Sequence, residues 1–131
     1  MSGAGAALAA AAESFVGTPF RLHGRDPDFG LDCVGLVAAA LERIGRATPS
    51  PSGYRLRQRE PRIVMPPGFA AAEGPIEPGD LLLVRPGAAQ HHLLVASLAG
   101  GFVHAHAGLR RVVHSPAPLP WPVLRHWRLE S

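Results

Sequence analysis

The sequence is poor in residues that crosslink a chain and in long apolar runs that cross a membrane. It has a single cysteine among 131 residues, which excludes an internal disulfide and fits a reducing compartment. No apolar run approaches the roughly 20 residues of a membrane helix, so we expect no membrane partner. The alanine-rich start of the chain lacks the basic segment of a secretory signal peptide. We therefore expect synthesis in the cytoplasm without a recognisable signal.

Lysine is also absent, and all 13 basic residues are arginines. The formal net charge is only +3, and the arginines are scattered apart from Arg55, Arg57, Arg59 and Arg62. This cluster is either a solvated loop or a weak attractor for a polyanion such as nucleic acid or cell wall. Because no aromatic residues alternate with these arginines as a base-stacking surface requires, nucleic acid is not an expected partner.

The composition favours a folded chain with many turns. Hydrophobic residues make up 47% of the sequence, which excludes a disordered chain. Glycine (15 residues) and proline (14 residues) favour short elements over a helical bundle. The length is typical of one domain, so residues 1–131 are expected to form a single domain.

Two helices are expected in the first third of the chain. Alanine-rich residues 6–16 predict the first, because alanine is the best helix former. Residues 32–44 place apolar side chains at i, i+3 and i+4 spacing and predict the second. Asp32 is its expected N-cap and Gly45 the residue that follows its C-terminal end. Residues 19–31 are expected to form an ordered loop.

The second half of the chain predicts an antiparallel sheet. Short apolar runs bounded by glycine or proline indicate strands at 80–84, 93–98, 102–106, 112–114 and 124–129. The glycines at 100 and 101 suggest a hairpin between the second and third of these strands. Residues 46–79 have many turn residues and little periodicity, which is typical of a long connection. Helices followed by strands predict an α+β fold.

Cys33 is the residue whose position most directly suggests chemistry. It lies at the predicted start of the second helix, where unpaired backbone N–H groups and the positive end of the helix dipole favour an anion. Such a position lowers the pKa of a cysteine into the reactive range. The same N–H groups can form an oxyanion hole. The alternative interpretation is a small buried apolar residue.

Histidines are concentrated after this helix. Five of the seven lie within one stretch of 24 residues: His91, His92, His104, His106 and His114. If the strands on either side of the Gly-Gly turn pair, His92 and His104 lie side by side. One can then act as base for Cys33 while the other orients its ring. The remaining histidines, including His23 and His126, are expected at the surface or in hydrogen bonds. Because the spacing matches no standard zinc pattern, we expect no metal site.

These motifs together resemble the signatures of the NlpC/P60 family of cell-wall peptidases. The segment FVGTPFRLHGRDPDFGLDCVGLV is similar to the family's Gly-Thr-Pro-Tyr and Asp-Cys-Ser-Gly-Leu region. PIEPGDLLLV is similar to its Pro-Gly-Asp-Leu strand, and HLLVAS with GGFVHAH to its histidine-bearing strands. The resemblance covers nearly all of the chain except about residues 46–74. The interval of 12 residues from His92 to His104 matches the family's spacing and favours His92 over His91.

The resemblance implies a papain-like α+β fold in which Cys33 is the nucleophile, His92 the general base and His104 the orienting residue. It also implies hydrolysis of amide bonds in peptidoglycan stem peptides, of the D-γ-glutamyl-diamino acid type, without a cofactor. The family usually has tyrosine where this chain has Phe20 and serine where it has Val34. With Asp32, these positions are the expected substrate contacts. Because two of the three differ from the family pattern, the substrate subsite is expected to be altered.

The missing serine, the short chain and the lack of a signal peptide resemble the phage-tail and gene-transfer-agent members of the family. The implied partners are then proteins of a tail-like particle that carries the enzyme to the bacterial cell wall. Two alternatives remain open. One is an amidase or acyltransferase that uses the same cysteine and histidine, and the other is a tail-assembly or wall-binding module without turnover.

Overall fold

The computed structural model describes residues 3–46, 68–88 and 90–130. Within them lie two helices and eight strands, and six of the strands, all after the second helix, form one sheet, which confirms the α+β prediction. The helices are α1 (Gly3–Ser14) and α2 (Cys33–Arg43). The strands are β1 (Arg25–Asp26), β2 (Gly30–Leu31), β3 (Phe69–Ala71), β4 (Leu81–Gly87), β5 (Gln90–Ala96), β6 (Phe102–His106), β7 (Arg111–Ser115) and β8 (Val123–Leu129).

The second helix has the ends that the sequence predicts. Asp32 caps it, and a carboxylate oxygen of this residue accepts the N–H of Gly35 at 2.8 Å. Ile44 is the C-cap, and Gly45 follows with a φ of 79°, a left-handed conformation that glycine adopts without a steric penalty. The helix is buried along most of its length because its apolar side chains pack against the sheet.

The first helix begins and ends earlier than the predicted 6–16. The small residues from Gly3 onward already join the helix. At the other end, the N–H groups of Phe15 and Val16 bond to carbonyls three residues back instead of four, and Gly17 has a φ of 96°. The last helical turn therefore tightens and stops before Phe15, whose ring is buried in the core.

The main sheet is antiparallel, with the strand order β3-β8-β4-β5-β6-β7. Strand β6 has the predicted bounds. Strand β7 is longer than predicted by one residue at each end, and β8 by one residue at its start. Strand β4 continues through an irregularity to Gly87, and β5 begins at Gln90 instead of Leu93. Strands β5 and β6 form the predicted hairpin, closed by a hydrogen bond from the N–H of Ser97 to the carbonyl of Gly101.

Three short strands were not predicted. β1 and β2 pair with each other inside the predicted loop 19–31. β3 lies in the segment 46–79 that was predicted as a connection, and it pairs with the distant strand β8. Strands of two or three residues are too short to show a sequence period. The rest of this segment from 47 to 67, with the arginine cluster at 55–62, lies outside the described residues.

Each face of the sheet carries its own apolar cluster. On the face that packs against the helices, β5 and β6 contribute Leu93, Val95 and Val103. On the opposite face they contribute a second set, Leu94, Ala96 and Phe102, which Leu119 and Trp121 cover in part. This alternation fixes the faces of the histidines, because odd-numbered positions of β5 share one face and even-numbered positions the other. No described helix has the length and apolarity that crossing a bilayer requires.

Candidate active site

Cys33 is the first residue of α2, and a network around Asp32 holds this end of the helix. The Asp32 carboxylate caps the helix and also accepts two bonds from the preceding loop. The N–H of His23 donates to Oδ2 at 2.8 Å, and the Arg25 guanidinium donates to Oδ1 at 2.9 Å. The cap residue therefore ties the loop to the helix start and fixes the position of the Cys33 side chain, which is 4% exposed.

Two imidazoles meet across the β5–β6 hairpin. A hydrogen bond of 2.7 Å joins Nε2 of His92 and Nδ1 of His104, and the ring centroids are 4.9 Å apart with the planes at 75°. His104 is almost fully buried, and His92 is half-buried. The structure thus brings together the two histidines that the hairpin predicts. Since Nε2 of His92 binds His104, Nδ1 is the ring nitrogen of His92 that lies outside this bond.

Two residues that sequence reasoning missed complete the surroundings of this pair. The hydroxyl of Ser115 on β7 lies 2.8 Å from Nε2 of His104. The ring of Trp121 stands edge-on to both imidazoles, with centroids 6.2 Å from each. The pairing of Phe102 with Ser115 places the serine on the same sheet face as His104. Only the β6–β7 register could have indicated Ser115, and no sequence pattern indicates Trp121.

A cavity of about 650 Å³ joins these elements. Of the residues that the sequence singled out, it is lined by Phe20, Asp32, Cys33 and His92. His104 does not line the cavity and contacts His92 through the hydrogen bond between their rings. The cavity has the size of a small-molecule or peptide site and is mostly apolar.

Val34 does not line this cavity, contrary to the expected substrate contact. Its side chain is buried in the apolar cluster between α2 and the sheet. The physical reason is the helix geometry, since successive side chains point about 100° apart. With Cys33 directed to the cavity, the next residue turns into the core.

Asp32 lines the cavity, but its carboxylate already accepts hydrogen bonds from the protein. The donors described above occupy both of its oxygens. An ammonium group of a substrate would have to share these oxygens with Arg25, which carries the same charge. The arrangement suits a positioning role for Asp32 more than a primary amine contact.

His91 differs from His92 in its surroundings. It is 6% exposed, so of the two expected environments, the surface or a hydrogen bond, the surface position does not apply to this residue. Strand alternation places it with Leu93 and Val95 on the helix-facing side, and both histidines border the cavity. The hydrogen bond to His104 is made by His92.

The pKa of Cys33 differs from the sequence-based expectation. Burial of the thiol raises its pKa to about 12, and the negative charge of Asp32 adds to this effect. Backbone N–H groups of Leu93, Val34 and Cys33 lower the pKa without compensating for the loss of water. The expectation that the helix start lowers the pKa into the reactive range is therefore wrong for the resting protein, because desolvation outweighs the helix dipole.

The pKa values of His92 and His104 are lowered, which keeps both side chains neutral. Burial lowers the pKa of His92 to about 3, with further lowering from His104 and His106. Burial also lowers the pKa of His104 to about 4, with contributions from His106 and His114. The resting site therefore holds a neutral thiol and neutral imidazoles at neutral pH.

The part of the chain that the structure describes has no set of side chains arranged to bind a metal ion. No group of three or more His, Cys, Asp or Glu side chains is placed there to hold an ion. The clustered histidines instead bond to one another, to hydroxyls and to the backbone. His106 accepts the N–H of Leu109 at 3.0 Å, and His114 bonds to the carbonyl of Gly100 at 2.9 Å.

The chain matches one family model, described as the NlpC/P60 family, over residues 17–121. This range includes α2 and the β5–β6 hairpin with the candidate site. No curated protein sequence gives a significant match to the chain.

Several solved structures share the fold. Two are NlpC1 and NlpC2 from Trichomonas vaginalis, each 20% identical, with TM-scores of 0.71 and 0.69. Both matches cover 98% of this chain, which spans about half of each of those proteins (46% and 49%). A third is the NlpC/p60 domain of the peptidoglycan hydrolase SagA, at 27% identity and a TM-score of 0.58. That match covers 86% of this chain and 88% of the domain.

Proposed function

The chain belongs to the NlpC/P60 family, and on this basis we propose that it is a cysteine peptidase that hydrolyses amide bonds in peptidoglycan stem peptides. The observation that carries the proposal is the cavity that Cys33 shares with His91 and His92, of which His92 has its ring held by His104. A nucleophile, a base and a group that orients the base are the parts that acyl transfer by a thiol requires. The likeness to a domain of a peptidoglycan hydrolase supports this substrate.

In the proposed acylation step, the Cys33 S–H bond breaks as Sγ attacks the carbonyl carbon of the scissile amide. Nδ1 of His92 takes the proton and later gives it to the departing amine nitrogen. A thioester to Cys33 remains. Backbone N–H groups at the start of α2, those of Cys33 and Val34, are close enough to influence the thiol and are the candidate donors to the carbonyl oxygen.

The proposed deacylation step reuses the same base. His92 takes a proton from a water molecule, whose oxygen attacks the thioester carbon, and Cys33 regains its proton as it leaves. Because the resting thiol and imidazole are both neutral, proton transfer accompanies the attack instead of preceding it. The enzyme then needs no stable thiolate before the substrate binds.

The bond that we propose is the one between D-γ-glutamyl and the diamino acid, on stems that remain attached to the glycan. Phe20 has no hydroxyl to offer a free amine, and Val34 does not reach the cavity. The Asp32 carboxylate is shared among three protein donors. The site therefore lacks a dedicated ammonium subsite among these positions, which suits a substrate whose amine is already acylated.

Delivery by a phage-tail-like particle is the second part of the proposal. It rests on the resemblance of the sequence around Cys33 to the tail-associated members, which also lack the serine at the position of Val34. The enzyme would then act on the wall of a recipient cell. Co-purification of the protein with tail particles from the native host, followed by mass spectrometry of the particles, tests this route. Particles that contain the other tail proteins but not this chain would contradict it.

Digestion of purified sacculi tests the activity itself. The wild-type protein and a Cys33→Ala variant are incubated with sacculi, and the released fragments are identified by mass. We expect fragments cut within the stem peptide from the wild type and none from the variant. Ligation products or an acyl transfer to added amines would instead indicate an acyltransferase. Binding without release by the wild type would indicate a wall-binding module.

A further inference from the structure

Ser115 extends the histidine pair by one member. Its Oγ lies 2.8 Å from Nε2 of His104, while Nδ1 of His104 binds His92. The three side chains of His92, His104 and Ser115 thus follow one another, and His92 shares the cavity with Cys33. This arrangement bears on how protons are distributed, because each neutral imidazole carries one N–H and one lone pair.

The chain of hydrogen bonds can have one of two directions. In the first, His92 donates its Nε2–H to His104, and His104 donates its own Nε2–H to the Ser115 oxygen. In the second, Ser115 donates to His104, and His104 donates from Nδ1 to His92. Only the first leaves a lone pair on Nδ1 of His92. The second places a hydrogen there and removes the base that the proposed reaction needs.

We propose that Ser115 is a positioning residue that selects the first direction by accepting the Nε2–H of His104. The inference rests on the proposed function of Cys33 and His92. His104 is 1% exposed, so without the serine oxygen its Nε2–H would be buried with no acceptor from β7. A buried donor without a partner is costly, and His104 would shift towards the other tautomer. Ser115 is itself partly exposed, so its hydroxyl proton can point to solvent.

The same direction also supports the charged intermediate. When Nδ1 of His92 takes the thiol proton, the ring becomes an imidazolium whose Nε2–H still donates to His104. His104 remains neutral and still donates to Ser115. The relay therefore needs no rearrangement during the reaction, which is the advantage of a preorganised site.

The test compares Ser115→Ala with Ser115→Thr, which keeps the hydroxyl in a strand. Ser14→Ala is the control, because it removes a serine hydroxyl at the end of α1. The first readout is the rate at which a neutral alkylating reagent modifies Cys33, which needs no peptidoglycan. We expect roughly a fivefold decrease in Ser115→Ala, from the loss of about one neutral hydrogen bond. Ser115→Thr and Ser14→Ala should stay near the wild-type rate.

The second readout is the tautomer of each histidine, measured by nitrogen-15 chemical shifts in the wild-type protein. We expect Nε2–H on both His92 and His104, and a population of Nδ1–H on His104 in Ser115→Ala. A wild-type His104 in the Nδ1–H form would overturn the proposal even if Ser115→Ala failed to fold. An unchanged alkylation rate in a folded Ser115→Ala variant would overturn it as well. Both readouts are independent of hydrolysis, so failure of the proposed function would be seen separately.

Discussion

His92 and His104 lie on neighbouring strands of one hairpin, 12 residues apart in sequence and 2.7 Å apart between Nε2 and Nδ1. The bond fixes the orientation of the His92 ring and engages its Nε2, so that Nδ1 lies outside the pair. It also depends on the strand register, because a slip of one residue would turn His92 to the other face of the sheet. The candidate site is therefore as well defined as the hairpin that carries it.

The neighbouring histidines should differ sharply when each is replaced. We expect His92→Ala to reduce hydrolysis roughly 10²- to 10⁴-fold, the usual contribution of a general base. His91→Ala should retain most of the activity, because the hydrogen bond to His104 belongs to His92. Initial rates on sacculi, with melting temperatures to exclude unfolding, measure both. An inactive but folded His91→Ala variant beside an active His92→Ala variant would reverse the assignment.

The parts of this site that could be predicted from sequence are local ones. The Asp32 cap, Gly45 and strand β6 follow from residues within a few positions of each other. The meeting of His92 and His104 follows from the alternation of strands on either side of a short turn. In each case the interacting groups are close in the chain, so the local sequence pattern predicts their arrangement.

The parts that could not be predicted depend on distant segments. Strand β3 exists because it pairs with β8, far along the chain. Ser115 and Trp121 reach the histidines only through the register of the sheet and the loop before β8. The raised pKa of Cys33 results from burial by the whole fold. A sequence shows the helix start that lowers this pKa but not the loss of water that raises it.

Acid should destabilise the protein through its buried histidines. The pKa of both His92 and His104 lies below the usual 6.5 in the folded state, at about 3 and about 4. Between these values and 6.5 the unfolded chain binds more protons, so stability rises with pH in this window and is lost as pH falls. Each pKa unit corresponds to about 1.4 kcal/mol, so we expect the free energy of unfolding to fall by a few kcal/mol (roughly) on approaching pH 4.

Denaturant titrations at several pH values measure this effect, and the interval from pH 6.5 to 5 is the cleanest because most carboxylates do not titrate there. A His92→Gln/His104→Gln double variant, which removes both titrating groups, should have a flatter dependence. His23→Gln, at an exposed position, is the matched control and should follow the wild type. If the free energy of unfolding changed equally with pH in the wild type and the double variant, the pKa shifts would be contradicted.

The resting thiol should be protonated at neutral pH. Burial and the Asp32 charge raise the pKa of Cys33 to about 12. We therefore expect no thiolate absorbance in the ultraviolet difference spectrum between the wild type and Cys33→Ala at pH 7. The signal should grow only at strongly alkaline pH. A full thiolate signal at pH 7 would mean that the resting site holds an ion pair with His92 instead of two neutral groups.

The substrate preference should favour intact wall over small peptides. A hydrogen bond to a charged group contributes about 1.5–3 kcal/mol, which corresponds to roughly ten- to a hundredfold in selectivity. Because Phe20 and Val34 offer no such bond to a free amine, sacculi should be digested at least as fast as a free tripeptide with an exposed L-alanine amine. Initial rates at matched stem concentration decide this. A strong preference for the tripeptide would point to another amine contact, with His23 at the cavity as the first residue to test.

The central claim is that Cys33 attacks the substrate and carries its acyl group. Rapid acid quenching during turnover, followed by mass measurement of the protein and peptide mapping, tests this most directly. We expect a stem-peptide acyl adduct on the peptide that contains Cys33, present in the wild type and absent from Cys33→Ala. Hydrolysis by Cys33→Ala at the wild-type rate, with no adduct on the wild-type cysteine, would contradict the account.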